Sequence, residues 1–212
     1  MTLAQPVSGL EARFVALWHQ SLPEDDAAGS VWTLLQQRYS ESVRHYHNMG
    51  HVSFCLEQLD LVYSLLRDPG SVELAVWFHD VVYTPSSPGN EAESADLFRR
   101  SATGAATTLV DSVSALILET KHVDQPTDGD ACYLVDIDLA SLGQPWSWFL
   151  RDTQALRREQ SATADEEYHR AHAAFLGRLL ARPHLYSTEF FRSRYEDRAR
   201  RNIQRCLKSP AG

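Results

Sequence analysis

Leu74-Ala-Val-Trp-Phe-His-Asp-Val-Val-Tyr83 decides how this chain is read, because an unbroken apolar run closes on a histidine and an aspartate standing side by side. A carboxylate in such surroundings is costly unless positive charge or hydrogen-bond donors lie against it. The run reaches back to Val72 and by pattern alone describes either a central strand or a buried helix. No regular βαβ alternation surrounds it, so we read it as helix.

Working outward, Val52, Leu56, Leu59, Val62, Tyr63 and Leu66 recur at helical spacing and predict a helix over about 50–66, ended by Asp68-Pro-Gly70. Shorter helices are expected over 10–19 and 31–39, joined by an acidic, glycine-containing turn. On the other side, Tyr83 to Asn90 holds two prolines and one glycine, a loop that leaves directly from His79-Asp80 and suits the rim of a site. Asn90 is expected to cap a helix starting at Glu91, with Glu91 and Glu93 in its first turn and Ala92, Ala95 and Phe98 packing inward. Then follow a helix over 105–122, an exposed acidic turn over 124–130, a buried element over 133–142, and helices near 148–160, 164–180 and 187–207. This predicts an all-α, single-domain helical bundle over 1–212, with a motif-bearing core over 40–145 and a carboxy-terminal helical extension over 146–208. Only the two extreme ends read as disordered.

A chain of 212 residues fits one continuous core. The formal net charge of -8 gives no reason to expect a nucleic-acid polymer as partner. No apolar segment reaches bilayer length and no signal-like amino terminus is present, so no membrane partner is expected. Cys55, Cys132 and Cys206 are far apart and form no Cys-x-x-Cys pair, which argues against a disulfide framework or thiolate zinc knuckle and points to the cytoplasm. A homodimer is compatible with the chain, but no repeated apolar seam demands one. Walker loops, dinucleotide-binding glycine fingerprints and serine-hydrolase elbows are absent.

Candidate ligands come from three separate stretches. In Arg44-His-Tyr-His-Asn-Met-Gly-His51, His47 and His51 lie four residues apart, and Gly50 puts a helix boundary between them, so their roles need not match. Adjacent helical residues point about 100° apart, so His79 and Asp80 flank one cation only at a helix edge or local irregularity. Asp136 and Asp138 share a face on a strand but diverge on a helix. We take Asp138 as ligand and Asp136 as its support, an assignment that can be exchanged without changing the chemistry. Imidazoles with carboxylates suit a divalent metal ion such as Mn, Fe, Co, Zn or Mg. His122, at a helix end beside Lys121, is a candidate for substrate binding, proton transfer or a second metal position. Tyr133, Trp146, Trp148 and Phe149 could stack on a base, although core packing explains them as well. His169 and His172 read as exposed, and the arginine-rich last helix as a solvated or packing face.

In chain order, the Arg44 to His51 segment, Trp77-Phe-His-Asp-Val-Val-Tyr83, Asn90-Glu-Ala-Glu-Ser-Ala95, Thr120-Lys-His122 and Leu134-Val-Asp-Ile-Asp-Leu-Ala-Ser-Leu-Gly143 resemble the HD-domain superfamily of metal-dependent phosphohydrolases, especially its small proteins with a Tyr-His-Asn-x-x-His segment. The resemblance implies an HD-like helical core with His51, His79, Asp80 and a late aspartate, Asp138, around a divalent ion. It likens His47 to the proton-donating histidine of related cyclic-nucleotide phosphodiesterases, and His122 to an additional pocket histidine. The later histidine series of many two-metal members is missing here, so a binuclear centre is not implied. The expected reaction is hydrolysis of a nucleotide or other small phosphate ester by metal-activated water. His47, Asp80, His122 and Glu91 are its candidate catalytic residues, with Arg44 and Lys121 binding the phosphate. The alternative is a noncatalytic, metal-stabilised ligand-binding or regulatory protein.

Overall fold

A computed structural model describes residues 7–208 apart from Glu24 and Asp128, with the backbone alone at Val7 and Ser8. The chain ends expected to be disordered lie outside the described residues. Among these residues the chain forms ten α-helices and no strand: α1 (Val7–Ser21), α2 (Ala28–Tyr39), α3 (Met49–Val62), α4 (Pro69–Phe78), α5 (Asn90–Ser101), α6 (Thr107–Glu119), α7 (Asp130–Leu139), α8 (Trp146–Glu159), α9 (Asp165–Ala181) and α10 (Glu189–Lys208). Tight 3-10 turns follow α3 at Tyr63–Leu65 and α7 at Ala140–Gly143. No described helix is long and apolar enough to cross a membrane.

The ambiguous run is α4, the axis of the bundle. Its start is fixed by chemistry that a strand would not use. Asp68 accepts a hydrogen bond from the Ser71 backbone at 3.1 Å and another from the Ser71 hydroxyl at 2.6 Å, while Pro69 fills the first turn. From Ser71 through Phe78 every residue is buried, which a helix tolerates only when neighbours cover all its sides. Helices α1, α3, α5, α6 and α7 do so. Glu73 is the one carboxylate in that run, and Arg13 of α1 neutralises it at 2.7 Å.

Helix α3 begins one residue before the expected boundary. The Asn48 side chain accepts from the Gly50 backbone at 2.8 Å, and a β-carbon at Gly50 would meet that oxygen at 2.9 Å, so a glycine lets the cap close. At α5 the expected cap moves. Gly89 occupies the capping position, while Asn90 pairs with both backbone groups of Thr84, at 2.9 and 3.0 Å, and pins the 83–90 loop. The acidic turn also differs: Asp130 heads α7 and accepts from the backbones of Arg67 and Asp68 at 2.9 and 2.7 Å.

Helix α10 lies against the Ala140–Gly143 turn so closely that a β-carbon on Gly143 would stand 2.6 Å from that of Tyr195. This contact, with the Asn202 side chain donating to Leu142 and Gln144, locks the last helix onto the end of α7.

Candidate metal centre

Three mutually packed helices, α3, α4 and α7, each deliver donors to one point. His51 stands in the first turn of α3 and Asp138 near the end of α7. His79 caps the end of α4, with its backbone N–H on Ala75, and Asp80 follows where the helix has stopped. That break meets the condition that neighbouring side chains can face one cation only at a helix edge.

The Nε2 atoms of His51 and His79 are 3.2 Å apart. Asp138 Oδ1 lies 3.1 Å from the former and 3.6 Å from the latter. Asp80 Oδ2 lies 2.9 Å from His79 and 3.6 Å from His51. Donors held at about 2.1 Å around one divalent ion stand about 3.0 Å apart across an octahedral edge and about 3.4 Å across a tetrahedral one. The observed spacings fall around those values.

The decisive observation is the other side of His79. Its Nδ1 lies 2.9 Å from the Val76 carbonyl, which can only accept, so Nδ1 carries the proton and the neutral ring aims its Nε2 lone pair into the cluster. There it meets a second imidazole nitrogen and two carboxylates. Such a meeting of acceptors needs positive charge at its centre, and these residues therefore fit a divalent ion. With protons alone, burial opposes the charged imidazole, yet Asp80 and Asp138 raise the His79 pKa well above the ordinary value. Burial likewise opposes ionisation of Asp80 and Asp138, but the histidines around them hold both below the usual carboxylate range.

Cys55, one turn beyond His51, joins His51, His79 and Asp138 in a set whose donor atoms all lie within 4.8 Å of one another. The sequence reading set this cysteine aside for want of a partner cysteine. Burial, with Asp138 and Asp80 nearby, pushes its thiol well above the ordinary range, so the neutral thiol is the form that packs there.

His122 reaches Asp138 from the other side, Nε2 to Oδ2 at 2.8 Å. It adopts a left-handed backbone, φ 55°, a conformation that costs a non-glycine residue about 1–2 kcal/mol. In this position it orients the carboxylate. Asp136 does not reach the cluster: as expected for neighbours-but-one on a helix, it faces away and accepts from Ser187 N, Thr188 N and Thr188 Oγ1, each at 2.7 Å. It anchors the start of α10 instead of serving as the alternative ligand or as support for Asp138.

Arg44 also departs from its expected phosphate-binding role. Its side chain is fully buried, and its guanidinium donates to the carbonyls of His47, Asp80 and Val81 at 3.0, 2.6 and 3.0 Å and to Glu41 at 3.0 Å. The carbonyls after a helix end lack helical partners and carry the negative end of its dipole, so this cation closes α4 and fixes Asp80. Replacing it, Arg44→Met, is expected to lower stability by about 2–4 kcal/mol, since buried carbonyls lose their donors. Urea unfolding of metal-free protein reads this out; a change under 0.5 kcal/mol would refute the capping role.

His47 has a partner with no local signature. Its Nδ1 donates to Glu159 Oε2 at 2.6 Å, and Glu159 Oε1 also accepts from the backbones of Tyr46 and His47 at 2.7 and 2.8 Å. Burial disfavours the charged ring, but Asp80 and Glu159 raise the His47 pKa above the ordinary value. Its ring stacks on Tyr83 with centres 4.4 Å apart.

Above these groups opens a cavity of about 690 Å³, lined by His47, Asp80, Asp138 and His122 among others. Glu91 also lines it, as does Lys121, whose Nζ donates to the Pro88 carbonyl at 2.9 Å and ties down the 83–90 loop. Helices α8 and α9, from the segment expected as an extension, supply another part of its lining. Phe149 faces the cavity, whereas Trp146 stacks on Phe149 and Arg205 and Trp148 is exposed. His172, expected to be exposed, is half-buried in this wall. No family of known proteins, no curated protein and no solved structure matches the chain.

Proposed function

We propose that this chain is an HD-type, metal-dependent phosphohydrolase acting on a nucleotide or other small phosphate ester. The observation that carries the reading is the meeting of two imidazole nitrogens and two carboxylate oxygens, whose aspartates line an open cavity together with a histidine paired to a glutamate. His51, His79, Asp80 and Asp138 would hold the ion. A bound divalent ion lowers the pKa of water and offsets charge on a phosphoryl oxygen.

The remaining work falls to side chains. Water oxygen forms the new bond to phosphorus, the bond from phosphorus to the leaving oxygen breaks, His47 Nε2 supplies a proton to that oxygen, and one of the two water protons then passes from the product phosphate back to His47. Glu159 keeps the ring charged and turned toward the cavity. Lys121 has two N–H groups left after its bond to Pro88, available to a phosphoryl oxygen at the rim. Asp138 is held in place by His122, and Asp80 by the Arg44 cap.

The test is phosphate release by metal-loaded protein across nucleotides, cyclic nucleotides and simple phosphomonoesters. We expect turnover of at least one class that chelation abolishes. Stoichiometric metal with ligand binding but no turnover would overturn the enzymatic reading in favour of a binding or regulatory protein.

A further inference from the structure

The part of the cavity wall formed by α8 and α9 has its own composition. On α9, Tyr168, Ala171, His172, Phe175 and Leu176 line the cavity, a spacing of i, i+3, i+4, i+7 and i+8 that defines one face of a helix. On α8 the lining residues Phe149, Asp152, Thr153 and Leu156 form a matching stripe. Helix α9 turns an apolar-rich face toward this space, and α8 adds Phe149 and Leu156, with Leu142 beside them.

The charges around that space are mainly negative. Apart from Asp80 and Asp138, the lining includes Glu91, Glu167 and Asp152, the last paired with Arg151 at 2.8 Å, against the fixed cations Lys121 and Arg178. Other arginines nearby are engaged elsewhere: Arg157 donates to Gln160 O, Thr163 O and Asp165, and Arg44 closes α4. One ion with Lys121 and Arg178 can neutralise a single phosphoryl group, whereas a triphosphate would bring its further charges against Glu91 and Glu167.

Resting on the reading of the centre as a phosphate-ester site, we infer that its ligand carries one phosphoryl group on an uncharged, mainly apolar or aromatic body, which lies along the α8 and α9 stripes. Nucleoside triphosphates are excluded by charge, and small polar esters leave the apolar wall uncovered.

Equilibrium binding and turnover of 1-naphthyl phosphate, glycerol 3-phosphate and ATP by the metal-loaded full chain test this. We expect 1-naphthyl phosphate to bind on the order of ten-fold or more tightly than either competitor, from burial of its rings. Leu156→Glu, at a half-buried wall position, is expected to collapse that preference toward unity. Ala171→Trp, at an exposed position where misfolding is less of a risk, should do the same by filling the space. ATP binding as tightly as 1-naphthyl phosphate, or a preference untouched by both variants, would overturn the inference. Preferential binding without turnover would leave it standing and remove the hydrolase reading instead.

Discussion

Chelator-treated protein is expected to gain about 8–16 °C in Tm when a divalent ion is supplied at 1,000 times its Kd. That range follows from about 4 kcal/mol of linkage stabilisation and about 2–4 °C per kcal/mol for a domain of this size. His79→Ala is expected to abolish both the gain and stoichiometric uptake, with phosphate release falling by about 1,000-fold or more. The reason is the proton on His79 Nδ1, pinned by Val76, which leaves Nε2 as a lone pair among acceptors. Removing this ring takes out a donor and separates Asp80 from Asp138.

Proton linkage gives the same prediction a sign. Burial disfavours the charged form of His79, but the neighbouring carboxylates raise its pKa well above the ordinary value in metal-free protein. The charged ring then adds stability below the unfolded imidazole pKa, and that contribution is lost as pH rises through the raised folded value. Metal entry must displace that proton, so affinity is expected to weaken as pH falls through the same range. Titration calorimetry in buffers of different ionisation enthalpy would detect the released proton. Metal uptake without proton release, or a His79→Ala variant that keeps the full thermal gain, would show that the ion sits elsewhere.

How much of this was legible beforehand depends on whether the decisive partner was local. The all-helical plan was, because the period of Val52 to Leu66 needs no tertiary information and no βαβ alternation surrounds the apolar run, whereas Asp68 and Pro69, read as the end of one helix, prove also to start the next. The convergence of His51, His79, Asp80 and Asp138 was legible only as residue types in order, since their distances depend on how α3, α4 and α7 pack. Arg44 was misplaced because its chemistry suits phosphate and unpaired carbonyls alike; only the end of α4 beside it decides. The same limit applies to Asp136, whose three donors come from the start of α10.

Glu159 shows the limit most clearly. In Arg157-Arg158-Glu159-Gln160 it reads as one more solvated charge, and His47 lies 112 residues away. One faint signal existed: Glu159 falls four residues after Ala155, on the buried face of α8. Burial turns that carboxylate from a surface charge into the partner that orders Tyr46, His47 and the entrance to α3.

His47→Ala is expected to lower kcat by about 100- to 10,000-fold, the usual span for a lost general acid, while metal stoichiometry stays at the wild-type value. The loss should be largest for alkyl esters and small for 4-nitrophenyl phosphate, whose leaving group departs without a proton. Glu159→Gln should lower kcat by about 10- to 100-fold, as for other residues that orient a working histidine. The amide oxygen can still accept from Tyr46 and His47, so the loop is preserved. What changes is the charge: without the carboxylate, the acid form of His47 is less favoured, and the alkaline limb of the kcat profile should move to lower pH. A residue that only braced the fold would change the melting temperature and leave that limb in place. Equal losses on alkyl and nitrophenyl esters, or an unmoved limb in Glu159→Gln, would take the proton-donor role away from His47 and leave metal and cavity as the working parts.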